Sequence, residues 1–298
     1  MALAECNSIT DENGRELLEH GSPGFPIACY HDDFHICDVS WHWHEEWEAV
    51  LITQGSCLIA AGNQKIMLRA GEGFFIQSGV LHGCWDAEHT GCRFHSIVFH
   101  PRLVGSGLDS IFHQQFVQPL LDHTGADMVV LKPDILWQKQ ALIAIEAAWQ
   151  HCVREEDGFP FLVRNQLSQL IFLLNTHLSP AASAISDKQF RDAQRIKTML
   201  SFIHTGYGGE LDTAMIAASA SVSESECLRC FRGTIGTTPI QYLKTYRIRQ
   251  AEKLLLSTDR KVSDIAECCG YQDMSYFTRS FRELTGCTPT QYRKNASP

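Results

Sequence analysis

The spacing of apolar residues gives the first third of the chain strand character. Between positions 35 and 99, short apolar runs alternate with turn signals at Gly55, 61–63 and 70–73. This spacing predicts a small antiparallel barrel or sandwich. The strands are expected at 48–53, 56–60, 65–68, 73–76 and 93–99. Residues 1–30 lack the pattern and are interpreted as an irregular lead-in.

The pattern changes after Pro133, and the remainder of the chain is helical in character. Apolar residues three and four positions apart over 135–152 and 160–178 predict a pair of amphipathic helices. The small, polar run 179–188 predicts an interdomain linker. Beyond it the helical pattern has breaks at 206–209, 236–239, 257–261 and 286–289. A multidomain chain is therefore expected, with an all-β barrel (1–133), a helical segment (134–182) and an all-α domain (190–298).

Charge is distributed unevenly between the two ends of the chain. The whole chain has a net charge of −9, but residues from Arg191 onward carry 15 Lys/Arg and 11 Asp/Glu. Residues 1–190 hold the other 10 basic and 23 acidic groups. The C-terminal part is therefore net positive and can approach phosphate, while the acidic part stays away from it.

The composition also excludes several classes of protein. No run of about 18 apolar residues is present, so no membrane partner is expected. The first residues lack the basic and apolar regions of a signal peptide. The 12 cysteines are scattered, and Cys227 and Cys230 lie in a predicted helix without a second pair at zinc-ligand spacing. We therefore expect reduced, mostly buried thiols in a cytoplasmic protein.

One pattern occurs twice in the last hundred residues. It consists of a small Ala, a turn residue four positions later, and a second helix carrying an apolar residue, an Arg two later and a Phe two after that. The two alanines, Ala217 and Ala266, are 49 residues apart (266 minus 217). This is the pattern of a helix-turn-helix. Two units joined by a helical stretch predict two recognition helices in successive major grooves of double-stranded DNA.

Residues 192–294 resemble the double helix-turn-helix domain of the AraC/XylS transcription regulators. The resemblance is carried by Thr238–Leu243, Thr288–Arg293, Arg247–Arg249 with Ala251 and Leu254–Leu255, and by Ile265–Tyr271 running into Ser275–Phe281. One position departs between the two units, because the first turn has Ser221 where the second has Gly270. If that position needs a positive backbone angle, Ser221 introduces a strain of about 1 kcal/mol.

Both recognition helices are expected to have one buried face and one face toward DNA. Ser223 and Asp273 are the expected N-caps, and Cys227, Phe231, Phe277 and Phe281 are expected in the core. The resemblance implies that the opposite faces read bases, through Ser225, Leu228, Arg229, Met274, Ser275, Thr278 and Arg279. Two alternatives remain open for Arg229 and Arg279, namely contact with phosphate alone or pairing with an acid of the same domain.

The first part of the chain contains a pattern of histidines and acids. Residues 41–48 followed by Gly55 fit the first cupin motif, and 73–82 fit the second loosely, with Gln77 in place of the usual Pro. Residues two apart on a strand share a face, so one face is predicted to present His42, His44 and Glu48. A histidine from another strand, His82, would complete a set of imidazole and carboxylate ligands for a divalent metal.

The resemblance implies a transcription regulator, expected to act as an activator, whose cupin-like domain senses a small-molecule effector. We expect a sugar or similar polar metabolite that contacts Trp43, His44, Glu48 and His82 and packs against Trp41, Trp43, Trp47 or Trp85. No cofactor is required for this role, and a divalent metal at His42, His44, Glu48 and His82 stays open. DNA, the effector, RNA polymerase and a second copy in a homodimer are the expected partners.

Two other functions are compatible with the same residues. The first is a metal-dependent cupin enzyme or metal sensor fused to a DNA-binding domain, but fusion to a DNA reader favours sensing over turnover. The second is a constitutive DNA-binding protein whose barrel only dimerises. The apolar face of the helix pair, formed by Ile143, Leu167, Leu170, Ile171 and Leu174, is either a dimer seam or packing within the domain.

Overall fold

A computed structural model describes residues 3–4, 15–34, 39–62, 64–88, 90–122, 127–178 and 187–296. The chain divides into two compact units, of which the first contains Arg15–Ala193 and the second Gln194–Pro298. In the described part of the chain, no helix has the length and apolar character that a membrane crossing requires. The ten described cysteines are free thiols, and eight of them are buried.

The first unit contains two β-sheets. Its strands are β1 (Leu3–Ala4), β2 (Ile27–Asp33), β3 (Val39–His42), β4 (Trp47–Gln54), β5 (Ser56–Ala61), β6 (Gln64–Arg69), β7 (Gly73–Ile76), β8 (His82–Trp85), β9 (Arg93–Phe99) and β10 (Met128–Leu131). One sheet has the order β1-β2-β9-β4-β7-β10 and the other β3-β8-β5-β6. Neighbouring strands are antiparallel, apart from the parallel pair β1 and β2. The all-β fold expected for this part of the chain is confirmed.

The five predicted strands are all present, but the prediction of an irregular lead-in over residues 1–30 is wrong from Ile27 onward. Strand β2 starts at Ile27 and pairs along its length with β9. Its first four residues are all buried, because Ile27 and Cys29 face one core cluster while Ala28 and Tyr30 face another. A strand covered on both faces lacks the alternation of polar and apolar residues from which the other strands were predicted.

Helices cover the larger sheet. They are α1 (Arg102–Gly105), a π-helical turn (His113–Val117), α2 (Gln118–Leu121), α3 (Leu136–Arg154) and α4 (Phe159–His177). Four of the five apolar residues of the expected dimer seam, Leu167, Leu170, Ile171 and Leu174, are fully buried in a core shared with sheet residues such as Trp47 and Phe75. These four residues therefore pack within the domain and cannot form a dimer seam. The fifth, Ile143, is 58% exposed.

The second unit is helical. Its elements are α5 (Asp187–Gly206), α6 (Thr213–Ser219), α7 (Glu224–Cys230), a π-helical turn (Phe231–Ile235), α8 (Pro239–Ser257), α9 (Val262–Cys268), α10 (Met274–Thr285) and α11 (Pro289–Ala296). The pairs α6–α7 and α9–α10 are the two helix-turn-helix units, and α8 joins them. All four predicted breaks fall between helices of this unit.

Candidate functional sites

Four side chains predicted as a ligand set meet between the two sheets. His42 ends β3, His82 begins β8, and the two residues are paired across the smaller sheet. Glu48 lies on β4 of the larger sheet, and His44 lies between β3 and β4. One potential ligand atom from each lies within 4.8 Å of the others. The prediction that His42, His44 and Glu48 share one strand face is wrong, since β3 ends at His42, yet the turn still brings them together.

The backbone fixes the orientation of the three imidazole rings. Each ring places Nδ1 near a carbonyl oxygen two residues away, at 2.8 Å for His42 and Ser40, 3.1 Å for His44 and Glu46, and 2.8 Å for His82 and Val80. A carbonyl only accepts, so Nδ1 carries the hydrogen and the neutral ring presents a bare Nε2. This arrangement orients a histidine for binding a metal through Nε2.

The cluster is buried and its inward-facing atoms lack hydrogen-bond partners. His42, His44 and His82 are between 2% and 5% exposed. Glu48 Oε2 lies 2.9 Å from His82 Nε2 and 3.6 Å from His44 Nε2. Among the described residues, these three atoms are buried without a hydrogen-bond partner of suitable geometry. A carboxylate oxygen facing bare ring nitrogens repels them unless a cation or a proton lies between.

The ionisation of the cluster depends on the same contacts. Burial alone would raise the pKa of the Glu48 carboxyl, but its close contacts with the His44 and His82 rings bring that pKa well below its ordinary value. Burial, followed by the neighbouring His82 ring, lowers the pKa of His42. Glu48 is therefore an anion and His42 a neutral ring, the forms in which both residues bind metals.

A second acid beside the cluster was missed by sequence reasoning. Glu16 Oε2 lies 3.9 Å from His42 Nε2 and 3.2 Å from His20 Nε2. Its side chain is only 8% exposed. The segment is held by the backbone hydrogen bond from Glu16 N to the Trp43 carbonyl, at 2.9 Å. No motif marks Glu16, and its place depends on long-range contacts of its segment, which also include Arg15 with Glu45 and His20 with Tyr30.

The tryptophans of the first unit have different environments. Trp43 is half-buried, and the Arg15 guanidinium lies 5.9 Å from its ring. Trp41 is buried, with its ring 5.4 Å from that of Trp85. Trp47 is fully buried among core residues that include Phe75. Trp47 is therefore inaccessible to an effector in this structure, whereas Trp43, which lies between His42 and His44 in the chain, is half-buried.

The recognition helices have the expected caps and the expected core. Ser223 Oγ accepts a hydrogen bond from Glu226 N, and Asp273 Oδ1 accepts one from Tyr276 N. Core residues Cys227, Phe231, Phe277 and Phe281 are fully buried. The opposite faces carry the predicted base-reading residues, of which Ser225, Arg229, Met274, Ser275 and Arg279 are exposed and Leu228 and Thr278 half-buried. On α10, Met274, Ser275, Thr278 and Arg279 line one open groove.

The two recognition arginines differ in their surroundings. On α7, both edge nitrogens of Arg229 contact Glu226, with Nε to Oε2 at 2.9 Å and Nη2 to Oε1 at 2.7 Å. Arg195 on α5 contacts the same carboxylate at 3.0 Å. On α10, the guanidinium of Arg279 lies 5.6 Å from the centre of the Tyr276 ring. Arg229 therefore pairs with an acid of its own domain, one of the two alternatives left open by the sequence.

Comparisons with known proteins agree with this architecture. Residues 24–143 match the AraC-like ligand binding domain, and residues 216–295 match a helix-turn-helix domain. The HTH-type transcriptional regulator YdeC of Bacillus subtilis is 28% identical over 97% of this chain and 98% of its own. The HTH-type transcriptional activator RhaR of Mannheimia succiniciproducens is 24% identical over 98% and 93%. A crystal structure of ToxT from Vibrio cholerae is 11% identical, with a TM-score of 0.44 over 93% of this chain and 100% of its own.

Proposed function

We propose that ligand binding between the two sheets controls how this AraC-family regulator engages DNA. The chain belongs to the AraC family of DNA-binding transcription regulators and carries an N-terminal ligand-binding domain. The matched relatives are transcriptional regulators, not enzymes. We assign effector sensing to residues 1–133, dimerisation to 134–182 and DNA binding to 190–298.

The cluster of His42, His44, Glu48 and His82 is proposed to hold a divalent metal ion. The observation that carries this proposal is the convergence of ring nitrogens and a carboxylate within 4.8 Å in a buried space. A cation satisfies every inward-facing lone pair, and this donor set suits zinc, iron, manganese or nickel. Such an ion would supply a Lewis acid that binds an oxygen atom of an effector.

The effector is proposed to be a sugar or a similar polar metabolite. Ligand atoms within 4.8 Å of one another leave space for an ion and not for a sugar ring. The effector would therefore lie beside the cluster, contacting His44, Glu48 and His82 from the side of Trp43. A half-buried indole next to polar groups offers the mixed surface typical of small-molecule sites.

DNA reading is assigned to the exposed faces of α7 and α10. The proposed base contacts are made by Ser225, Leu228, Arg229, Met274, Ser275, Thr278 and Arg279. Support comes from their exposure and from the caps, which fix where each recognition helix begins. We further propose that the regulator acts as a homodimer, and as an activator that contacts RNA polymerase.

Metal content of untagged protein tests the metal proposal. Wild type is compared by plasma mass spectrometry with His82→Ala, and with His151→Ala on α3 as a matched histidine control. We expect about one metal per chain in wild type and in the control, and none in His82→Ala. No metal in any variant would make the proposal wrong and leave the cluster as effector-pocket residues. A metal that alone changes DNA affinity would instead establish a metal sensor.

A further inference from the structure

The carboxylate of Glu226 occupies one edge of the Arg229 side chain. The guanidinium presents five N–H donors in a rigid plane, and Glu226 accepts from Nε and from Nη2 in a paired arrangement. Any contact between Arg229 and DNA must therefore use donors outside that edge. Nη2 also lies 3.5 Å from Cys230 Sγ, a weak acceptor that further restricts the rotation of the group.

Glu226 is itself held in place. Its Oε1 accepts from Arg195 Nη1 at 3.0 Å, and Arg195 belongs to α5 of the same compact unit. The side chains of Arg195 and Glu226 are each 33% exposed, and that of Arg229 is 42% exposed. The three side chains are thus partly accessible to solvent, while the contact with Arg195 fixes the position of the Glu226 carboxylate. An arginine held in this way has less rotamer entropy to lose when it binds.

In the second helix-turn-helix unit, the position that corresponds to Glu226 has no carboxylate. The caps Ser223 and Asp273 are 50 residues apart. With the same offset, Glu226 is equivalent to Tyr276 and Arg229 is equivalent to Arg279. Arg279 lies over the Tyr276 ring, so the residue at this position is aromatic and not acidic, and the acid that senses the charge of Arg279 is Glu283, four residues later on α10. The acid at this position is therefore present in the first helix-turn-helix unit and is not repeated in the second.

We propose that Glu226 is a positioning residue that makes Arg229 a reader of one base pair. The carboxylate offsets the charge that would draw Arg229 to any phosphate, and it fixes the plane in which the remaining donors can meet a guanine edge. This inference rests on the proposed role of Arg229 in base contact. The first helix-turn-helix unit then reads this base pair through an arginine whose geometry Glu226 fixes.

The test uses the full chain and a pool of random-sequence duplex DNA, with sequencing of the bound fraction. Four proteins are compared: wild type, Glu226→Gln, Arg229→Ala and Glu224→Gln. Glu224 lies on the same helix, is exposed, and loses the same charge in the control variant. Far-UV circular dichroism checks that all four proteins are folded.

We expect Glu226→Gln to lose preference at one base pair by about fivefold or more. Its binding should also become more salt-dependent by about one counterion. Glu224→Gln should keep the preference, and Arg229→Ala should lose it at the same base pair. Retained preference in Glu226→Gln, with loss in Arg229→Ala, would overturn the positioning role while leaving the base contact intact. Retained preference in Arg229→Ala would overturn the base contact and the positioning role together.

Discussion

Ser221 and Gly270 occupy the same position in the two helix-turn-helix units, and both adopt a left-handed backbone, with φ of 54° and 76°. The hydrogen bonds around them correspond. Ser221 N donates to Ala218 O at 3.0 Å, and Gly270 N donates to Glu267 O at 2.9 Å. The condition posed from the sequence, a positive backbone angle at this turn, is met in both units. In the first helix-turn-helix unit the residue is a serine and not a glycine, so the left-handed backbone costs about 1 kcal/mol there.

Replacing Ser221 by Gly should stabilise the helical unit (Gln194–Pro298) by up to about 0.5 kcal/mol, because relief of strain slightly exceeds the added entropy of the unfolded chain. The measurement is urea unfolding followed by far-UV circular dichroism. Tryptophan fluorescence does not report on this unit, since all six tryptophans precede residue 190.

Gly270→Ala is the matched opposite change, and it should destabilise by about 2 kcal/mol or more. A Cβ at Gly270 would lie 2.6 Å from the Tyr207 carbonyl oxygen and 2.8 Å from Arg247 Nη2. Arg247 Nε donates to the same Tyr207 oxygen at 2.7 Å, so neither neighbour can move without losing a hydrogen bond. Equal effects of the two substitutions would contradict the strain argument.

Arg279→Ala should weaken specific DNA binding by about 1–3 kcal/mol and relax preference at one base pair. Arg282→Ala, on the same helix, is the matched control. If Arg282 contacts only phosphate, its loss should weaken binding equally on all sequences and reduce the salt slope by about one. Selection from random duplexes, with anisotropy titrations at several salt concentrations, separates the two. An Arg279→Ala protein with unchanged affinity and preference would remove this residue from the base-reading set.

Most of the structure of the helical unit (Gln194–Pro298) could be predicted from the sequence, because the sequence features that determine it are local. Caps such as Ser223, turn residues such as Gly270 and the four-residue spacing of Phe277 and Phe281 each act within one or two helical turns. The pairing of Arg229 with Glu226 is also local, since three residues apart is one helical turn. The contribution of Arg195 comes from another helix, and no spacing in the sequence indicates it.

The first unit was less predictable because its site depends on sheet pairing. His42 and His82 meet only because β3 pairs with β8 in the observed register. The motif predicted the four residues that meet here, but the reason assigned to them, alternation along one strand, was wrong. Glu16 lay outside every motif. Its burial follows from a bridge between Arg15 and Trp43 that has no counterpart in local sequence.

Glu16→Gln should lower metal affinity by about 10- to 100-fold without abolishing binding, the range typical of groups just outside a ligand set. The Glu16 carboxylate adds negative charge beside His42, and its pKa is lowered because hydrogen bonding by His20 and nearby histidine charge outweigh burial. Zn²⁺ titrations against a chromophoric chelator measure the affinity. Glu19→Gln, an exposed acid of the same segment, should bind like wild type. Equal affinities for Glu16→Gln and wild type would show that Glu16 does not act on the site.

The proposed dimerisation should depend on the outer faces of α3 and α4, since their inner faces are already buried. Leu136 and Ile143, two turns apart on α3, are 74% and 58% exposed, and Phe161 and Phe172 of α4 are 81% and 53% exposed. Residues seven apart on α3 and eleven apart on α4 each share one helix face, and exposed apolar faces of this kind are typical of interfaces.

Phe172→Glu should therefore shift the protein from dimer to monomer in sedimentation velocity, because a charge in an apolar interface is buried without a partner. Gln64→Glu, on an exposed strand position, adds the same charge elsewhere and should leave the dimer intact. The variant should retain its metal and its base preferences while losing affinity for paired half-sites, since two linked readers bind a repeated site more tightly than one. A Phe172→Glu protein that remains dimeric would place the interface on another surface.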